Sequence, residues 1–418
     1  MAKLPVCLVG CGGMGNRHVA GFVALERSGL SNVELVAVCD IREDNAKRAA
    51  DDAERLLGRR PTIHTSIDAA LADPAIEAFD IVTEAWTHIA VAMPILAAGK
   101  HVLCEKPLAL TVKSCRLLID AAKRSGAVLA TAENYRRDPP SRLARAIIDA
   151  GLLGHVHLMH QFLVGGSDRI IITPWRHMKD KGSIGLDMGC HLTDIMQFYL
   201  GEIESVHGTG LIAEPTRYRR EVPEKDLPSY WARLREMPES VEATGEDSMI
   251  ATYKMKSGVL AEITYIPSGP GRRWVQRTVH GRKGSLEAPR DRTGDKVILH
   301  RESGSISGDE LLAELPDFHL DELTSRLFDD KVAYTLDFND SDAALIAIEI
   351  HDFANAVLNG GRPEVDGHLG LTAVAAVLAV YESGVAGRPV TMDEILSGKV
   401  SAYQDSIDAG IAQAAKVA

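Results

Sequence analysis

The sequence predicts a chain of two architectures, α/β followed by α+β: a doubly wound parallel sheet, then a large, open, mostly antiparallel sheet. Three observations carry this expectation. Short apolar runs alternate with amphipathic stretches up to Ala132, the β-α-β pattern of a parallel sheet. From Glu133 the β runs lengthen and follow one another with few helices between them, the pattern of an antiparallel sheet. The chain has 418 residues, more than one ordinary hydrophobic core fills. The expected domains are therefore 1–132 and 133–418.

Leu4–Val9 reads as a buried strand that opens into Gly10-Cys11-Gly12-Gly13-Met14-Gly15, with helical spacing from Asn16 onward. This is G-x-G-x-x-G in a strand–turn–helix setting, where side chains would keep a pyrophosphate from the N–H groups at the helix start. A second strand, Val33–Cys39, ends in Asp40, where a carboxylate accepts hydrogen bonds from both adenosine ribose hydroxyls and repels a 2′-phosphate. NAD is favoured over NADP, with Arg42 as the counterweight, since a nearby guanidinium accommodates that phosphate. The rival reading, a glycine turn beside an unrelated Asp, fits the order of elements poorly. The first part is thus expected to be a Rossmann dinucleotide-binding domain.

Asn45–Leu57 and Ser66–Ala72 read as helices, and Ala78–Thr83 as a strand leading into Glu84-Ala85-Trp86-Thr87-His88. Helix Ile89–Ala98 is stopped by Gly99, and strand His101–Glu105 runs into Lys106-Pro107. Proline removes a ladder donor and holds the preceding residue extended, which fixes the Lys106 ammonium at the carboxyl end of a parallel strand. Open α/β sheets bind their ligands there. Taken alone, Glu105–Lys106 reads as a solvated charge pair; its context argues otherwise. Thr111 can cap a helix over Val112–Ser125, and strand Val128–Ala132 follows.

Asn134 through Pro140 reads as an irregular connector and Ser141–Ala150 as a helix. Strands are expected at Val156–Leu163, Val206–Ile212, Met249–Met255, Val259–Tyr265, Val275–His280 and Val297–His300, with a hairpin turn at Lys256-Ser257-Gly258. The charged, proline-rich stretch 214–247 reads as an insertion anchored by Trp231, and Gly304–Asp342 as a second polar excursion. Ile346–Ala356 and Leu371–Ser383 have apolar helical spacing. Between the strands, Asp187 and His191 stand four apart in a helical pattern and so share a face. A carboxylate beside an imidazole raises its pKa and orients it, which suits proton transfer near neutrality. The other reading is helix capping by Asp187 beside a packed histidine.

Composition excludes several classes. Net charge is −12, from 46 basic and 58 acidic residues, which argues against a nucleic-acid footprint or an anionic membrane surface. Six scattered cysteines read as buried free thiols. Cys7 and Cys11 have loose metal-like spacing without an accompanying pair, and Asp187 and His191 lack a third ligand, so no metal is expected. No leader and no apolar run of membrane-spanning length stands out, so a cytoplasmic location is expected.

The glycine turn with His18 beyond it, Thr83–His88, Gly99 through Pro107, Asp187 through His191 and the terminal Glu382-Ser383-Gly384…Gly387-Arg388-Pro389-Val390 together resemble the glucose–fructose oxidoreductase, inositol dehydrogenase and rhizopine-catabolism (Gfo/Idh/MocA) family, along the whole chain. The resemblance implies nicotinamide lying over the second sheet and hydride exchange with a secondary hydroxyl of a sugar, polyol or glycoside. It implies Lys106 as catalytic lysine, His191 as proton-transferring histidine and Asp187 as the orienting aspartate. The implied cofactor contacts are Gly10, Gly12, Gly13, Met14, Gly15, Asp40, Ile41, Arg42, Thr83, Glu84, Trp86, His88, Glu105, Lys106 and Asn134. The implied substrate contacts are Lys106, Asn134, Tyr135, Arg136, Trp175, Arg176, Asp187 and His191.

Two departures stand out: Thr83-Glu84-Ala85-Trp86 replaces the family's usual Thr-Pro-Asn turn, and the 214–247 insertion is long. The chemical alternative is a glycosidase that uses NAD transiently, by oxidation, elimination and re-reduction; a non-catalytic cofactor-binding protein is a third. Arg136, Arg137, Arg176, Lys179, Arg272 and Arg273 could converge on a carboxylated or sulfonated sugar, or could be solvated. An open second sheet leaves one face needing cover, so a homodimer or homotetramer is expected.

Overall fold

A computed structural model describes residues 2–221 and 234–417. Its first part contains β1 (Leu4–Val9), α1 (Gly13–Arg27), β2 (Val33–Cys39), α2 (Glu43–Leu57), β3 (Thr62–His64), α3 (Ile67–Leu71), β4 (Ala78–Ile81), α4 (His88–Ala97), β5 (His101–Glu105), α5 (Val112–Ser125) and β6 (Leu129–Ala132). The six strands form one parallel sheet in the order β3-β2-β1-β4-β5-β6. Strand order reverses between β1 and β4, so the crevice at their carboxyl ends is the place where such a sheet takes a ligand. Helix ends follow local chemistry: the Ser66 and Thr111 hydroxyls accept from the N–H groups of Ala69 and Ser114, while Gly58 and Gly126 end their helices in the left-handed conformation.

The remainder contains α6 (Pro139–Asp149), β7 (Val156–Val164), α7 (Ile184–Leu200), β8 (Ile203–Leu211), β9 (Thr216–Tyr218), β10 (Ser240–Glu242), β11 (Ser248–Met255), β12 (Leu260–Ile266), β13 (Trp274–Gly281), β14 (Gly284–Ala288), β15 (Ile298–Arg301), β16 (Gly304–Ser307), α8 (Asp309–Leu312), α9 (Glu322–Leu327), α10 (Phe338–Asn359), α11 (Gly367–Ala386), β17 (Val390–Thr391), α12 (Met392–Ser397) and α13 (Asp405–Val417). Nine of these strands make a sheet in the order β16-β15-β14-β13-β7-β12-β11-β8-β17. Its pairs are antiparallel except β7 with β12. Side chains alternate as the pleat demands: Met249, Ala251 and Tyr253 of β11 are buried, whereas Ile250 is exposed. Ile195, Met196, Val377 and Leu378 of α7 and α11 join the core on the buried face.

Several elements escaped the sequence reading. β3 has three residues and β17 two, while β14 and β16 are polar and glycine-led, so none offers a readable alternation. α10 and α11 extend beyond their apolar cores because Asp337 and Asp366 cap them and Gly360 and Gly387 end them. α11 is long and apolar enough to cross a bilayer, but 72% of its most apolar window is buried within the protein.

α10 belongs by sequence to the expected second domain but packs on the first. It lies on α1, where Leu345, Ile346 and Phe353 share a core with Val19, Phe22 and Leu25. Contact there is close enough that a Cβ on Gly21 would stand 2.4 Å from the Ile346 side chain.

The described arms of the insertion pair as the antiparallel ribbon β9–β10; Trp231 lies outside the described residues. At the base of that ribbon, the fully buried Arg217 donates to Asp247 (2.6 Å) and to the Ser167 carbonyl (2.6 Å). Asp247 also accepts from the N–H groups of Ala213 and Glu214. Arg217→Ala strands a buried carboxylate and is expected to lower stability by about 3–5 kcal/mol, measured by denaturant unfolding.

Candidate active site

The glycine turn is shaped as a cofactor cradle. Gly10 has φ +97°, and a Cβ there would stand 3.0 Å from Thr83. A Cβ on Gly15 would meet the Gly10 carbonyl oxygen at 2.2 Å, so only glycine lets α1 start this close to β1. A Cβ on Gly12 would instead project into open space. No side chain caps α1, which leaves its amino-terminal N–H groups at Gly13 and Met14 toward that space. Asp40, just after β2, accepts from Cys11 N (2.7 Å), Arg42 N (2.8 Å) and Asn45 Nδ2 (3.2 Å), so its carboxylate is held beside the glycine turn. Ile41 beside it is 91% exposed, an apolar surface with nothing of the protein covering it. The Arg42 guanidinium turns to Asp44 and Glu236. These features fit a dinucleotide.

Along the crevice, the Thr87 hydroxyl donates to Thr83 Oγ1 (2.7 Å), and Trp86 Nε1 donates to Glu84 (2.8 Å). Asn134, just after β6, has a buried amide oxygen without a partner, the kind of orphan a ligand N–H satisfies. His88 corrects its expected role: it is buried, with ring nitrogens 2.9 and 3.2 Å from the carbonyls of Pro107 and Thr83, and it ties those two loops together. Glu105 also points inward. It accepts from Lys106 N (3.0 Å) and faces His18 Nε2 (3.2 Å), whose Nδ1 faces Asp80 (2.7 Å). Burial works against charge on His18, but Asp80 and then Glu105 outweigh it and hold its pKa well above the ordinary value. Glu349 of α10 lies close by; with both imidazole nitrogens aimed at carboxylates, this buried group is a hydrogen-bonded charge cluster beneath the strand end.

β5 delivers Lys106 and α7 delivers Asp187 and His191 to one place. The Lys106–Pro107 peptide is cis. Lys106 Nζ donates to Asp187 Oδ1 (2.7 Å) and to the Asp187 carbonyl (3.1 Å), while Arg176 Nε donates to Asp187 Oδ2 (2.8 Å). Burial alone would neutralise Asp187; Arg176 and Lys106 outweigh it and keep the carboxyl well below the usual range. Burial likewise opposes the Lys106 charge, but Asp187 and Glu105 raise its pKa above the ordinary lysine value, so the ammonium persists. Trp175 packs its ring under the Arg176 guanidinium, 4.3 Å away.

His191 is not oriented by Asp187, whose two oxygens are already engaged. Its Nδ1 sits 2.6 and 2.8 Å from the two oxygens of Glu133, a residue the sequence reading missed because it stands at a strand end, far from His191 in the chain. Tyr135 stacks on the His191 ring at 3.9 Å and 5°. The expected upward shift is also reversed: burial, then Lys106 and Arg292, push the His191 pKa well down.

The basic residues do not converge. Arg136 is buried against Asp194 (2.8 and 2.5 Å) and lines a separate cavity of about 870 Å³ with Arg142 and Phe198. Arg137 pairs with Asp352 and Glu364, Lys179 lies over the Tyr403 ring, and Arg272 lies over Trp274.

A parallel sheet with this glycine cradle, facing a lysine–histidine site, defines a dinucleotide-binding oxidoreductase. Residues 4–133 match the oxidoreductase family, NAD-binding Rossmann fold, and residues 141–287 match the GFO/IDH/MocA C-terminal domain. The chain belongs to the Gfo/Idh/MocA family of oxidoreductases. It is 28% identical over 298 residues to levoglucosan dehydrogenase of Pseudarthrobacter phenanthrenivorans, covering 68% of this chain and 73% of that one. It is 24% identical over 401 residues to D-apiose dehydrogenase of Paraburkholderia graminis, covering 93% and 89%. A solved levoglucosan dehydrogenase in complex with NADH and L-sorbose superposes with TM-score 0.73 at 20% identity, over 94% of this chain and 99% of that one.

Proposed function

We propose that this chain is an NAD-dependent dehydrogenase that moves hydride between nicotinamide and a secondary hydroxyl of a sugar, polyol or glycoside. The observation that carries the reading is the meeting of Lys106 from β5 with Asp187 of α7, one helical turn from His191, at the carboxyl ends of the parallel strands. The glycine turn, Asp40, Ile41, Thr83, Glu84, Trp86 and Asn134 would hold the cofactor, with 1–132 as its domain and 133–418 supplying the substrate side. When bound, nicotinamide supplies the hydride acceptor. His191 takes the hydroxyl proton at Nε2, the nitrogen turned away from Glu133. Lys106 donates to the same oxygen and stabilises the charge that develops on it. Asp187, shared with Arg176, aims the ammonium.

NAD is favoured over NADP because the Asp40 carboxylate is fixed beside the glycine turn and Arg42 is engaged by Asp44 and Glu236. Asp40→Ala removes charge-assisted hydrogen bonds, and KM for NAD is expected to rise roughly 10- to 100-fold. Initial-rate kinetics with NAD and NADP check this, and an unchanged KM would count against the assignment. A panel of sugars and polyols with NAD tests the function itself: net NADH formation supports a dehydrogenase. Aglycone release from glycosides without net NADH would replace it with the redox-assisted glycosidase.

Six free, buried thiols suit a reducing, cytoplasmic setting. Leu158, Ile250, Leu260 and Trp274, exposed on the outer face of the second sheet, suit a homodimer or homotetramer.

A further inference from the structure

We infer that Glu133 is the positioning residue for proton transfer, fixing the tautomer and plane of His191 and balancing the charge it acquires. This deepens the proposed dehydrogenase reading and rests on it. The geometry supports the role from three directions. First, the Glu133 carboxylate is 2% exposed and brackets His191 Nδ1 with both oxygens, at 2.6 and 2.8 Å. Donation of Nδ1–H to that carboxylate leaves the lone pair on Nε2, the nitrogen available to a substrate hydroxyl. Second, the carboxylate nearest along the helix cannot do this work, since Asp187 is divided between Lys106 and Arg176. Third, Glu133 builds the rest of the clamp. Its Oε1 accepts from Tyr135 N (3.1 Å), which helps place the Tyr135 ring flat on the imidazole. The Arg292 guanidinium lies 5.1 Å from that tyrosine ring and donates to its hydroxyl. A carboxylate serving packing alone has no need to centre on an imidazole N–H.

The electrostatics follow from the neighbours. Lys106, just beyond β5, and Arg136, in the turn after Glu133, face Glu133, with Glu105 opposing them. Lys106, Arg292, Asp187 and Glu105 face His191, and Asp194, one turn along α7, is neutralised by Arg136. Burial pushes Glu133 up to about 7, and the same burial pushes His191 down. A buried dyad of this kind carries one negative charge at rest and becomes neutral on receiving the hydroxyl proton, a change that low-dielectric surroundings favour. The two groups then titrate as a pair. Alcohol oxidation needs the deprotonated dyad, so its rate rises with pH as the dyad loses that proton; carbonyl reduction needs the protonated dyad and falls over the same range.

The test is Glu133→Gln in the full chain, beside Glu133→Ala and His191→Ala. A glutamine carbonyl still accepts Nδ1–H but no longer stabilises an imidazolium. The oxidation limb is expected to move to lower pH by about one unit or more, with kcat on the plateau down roughly 10- to 100-fold and KM little changed. Alanine should cost more, because ring orientation is lost as well. Nitrogen shifts of the His191 ring in the cofactor-free protein give a readout independent of turnover: the Nδ1–H tautomer should dominate above neutrality in the parent and lose that dominance in Glu133→Ala. A Glu133→Gln pH profile that superimposes on the parent, together with Glu133→Ala ring shifts that do the same and an inactive His191→Ala, would overturn this inference alone. Full activity in His191→Ala would overturn it together with the reading beneath it.

Discussion

Lys106→Met is expected to lower kcat roughly 100- to 1,000-fold while KM for NAD stays within about a factor of three. In the proposed reaction the ammonium donates to the oxygen on which negative charge develops, and methionine keeps the aliphatic stem while deleting that donor. Asp187 retains its bond to Arg176 at 2.8 Å, so the variant should fold with only a modest loss of stability. Lys106→Arg should not rescue it: the planar guanidinium demands a different geometry and would compete with Arg176 for the same carboxylate. Steady-state kinetics, with thermal unfolding as the folding control, decide the matter. A kcat near the parent value would remove Lys106 from the chemistry.

His191→Asn is expected to cost roughly 100- to 10,000-fold in kcat, because it removes the general base of the proposed reaction. The pH dependence carries the sharper signature. The limb at which oxidation rises with pH should vanish, since no group at Nε2 remains to lose a proton. Tyr135 would lose its stacking partner and Glu133 its histidine donor, so a small loss of stability accompanies the kinetic effect. Persistence of the limb in His191→Asn would show that another group takes the proton.

Much of this was legible in the chain because it rests on local rules. The strand–glycine–helix start needs Gly10 and Gly15 for reasons of contact alone, and Lys106 is placed by a strand that runs into a proline. Asp187 and His191 share a face by helix periodicity. The parts that escaped depend on packing between distant segments. Spacing along the helix pairs Asp187 with His191, but the fold brings Lys106 and Arg176 to Asp187 and leaves the imidazole to Glu133. The arginines read as either converging on an acidic sugar or solvated; instead Arg136, Arg137 and Arg176 each meet acids that sequence spacing does not relate to them. α10 lies on α1 although more than 300 residues separate them in the chain, a long-range placement that periodicity does not encode.

The central claim is that Lys106 and His191 act on one hydroxyl beside a nicotinamide ring held in the glycine crevice. A crystal structure of the chain with NAD and a polyol turned over in the panel tests it most directly. The account predicts the pyrophosphate at Gly12–Met14, and one hydroxyl oxygen within about 3 Å of both Lys106 Nζ and His191 Nε2, its carbon facing nicotinamide C4. A ring bound elsewhere, or a substrate that reaches neither side chain, would contradict it.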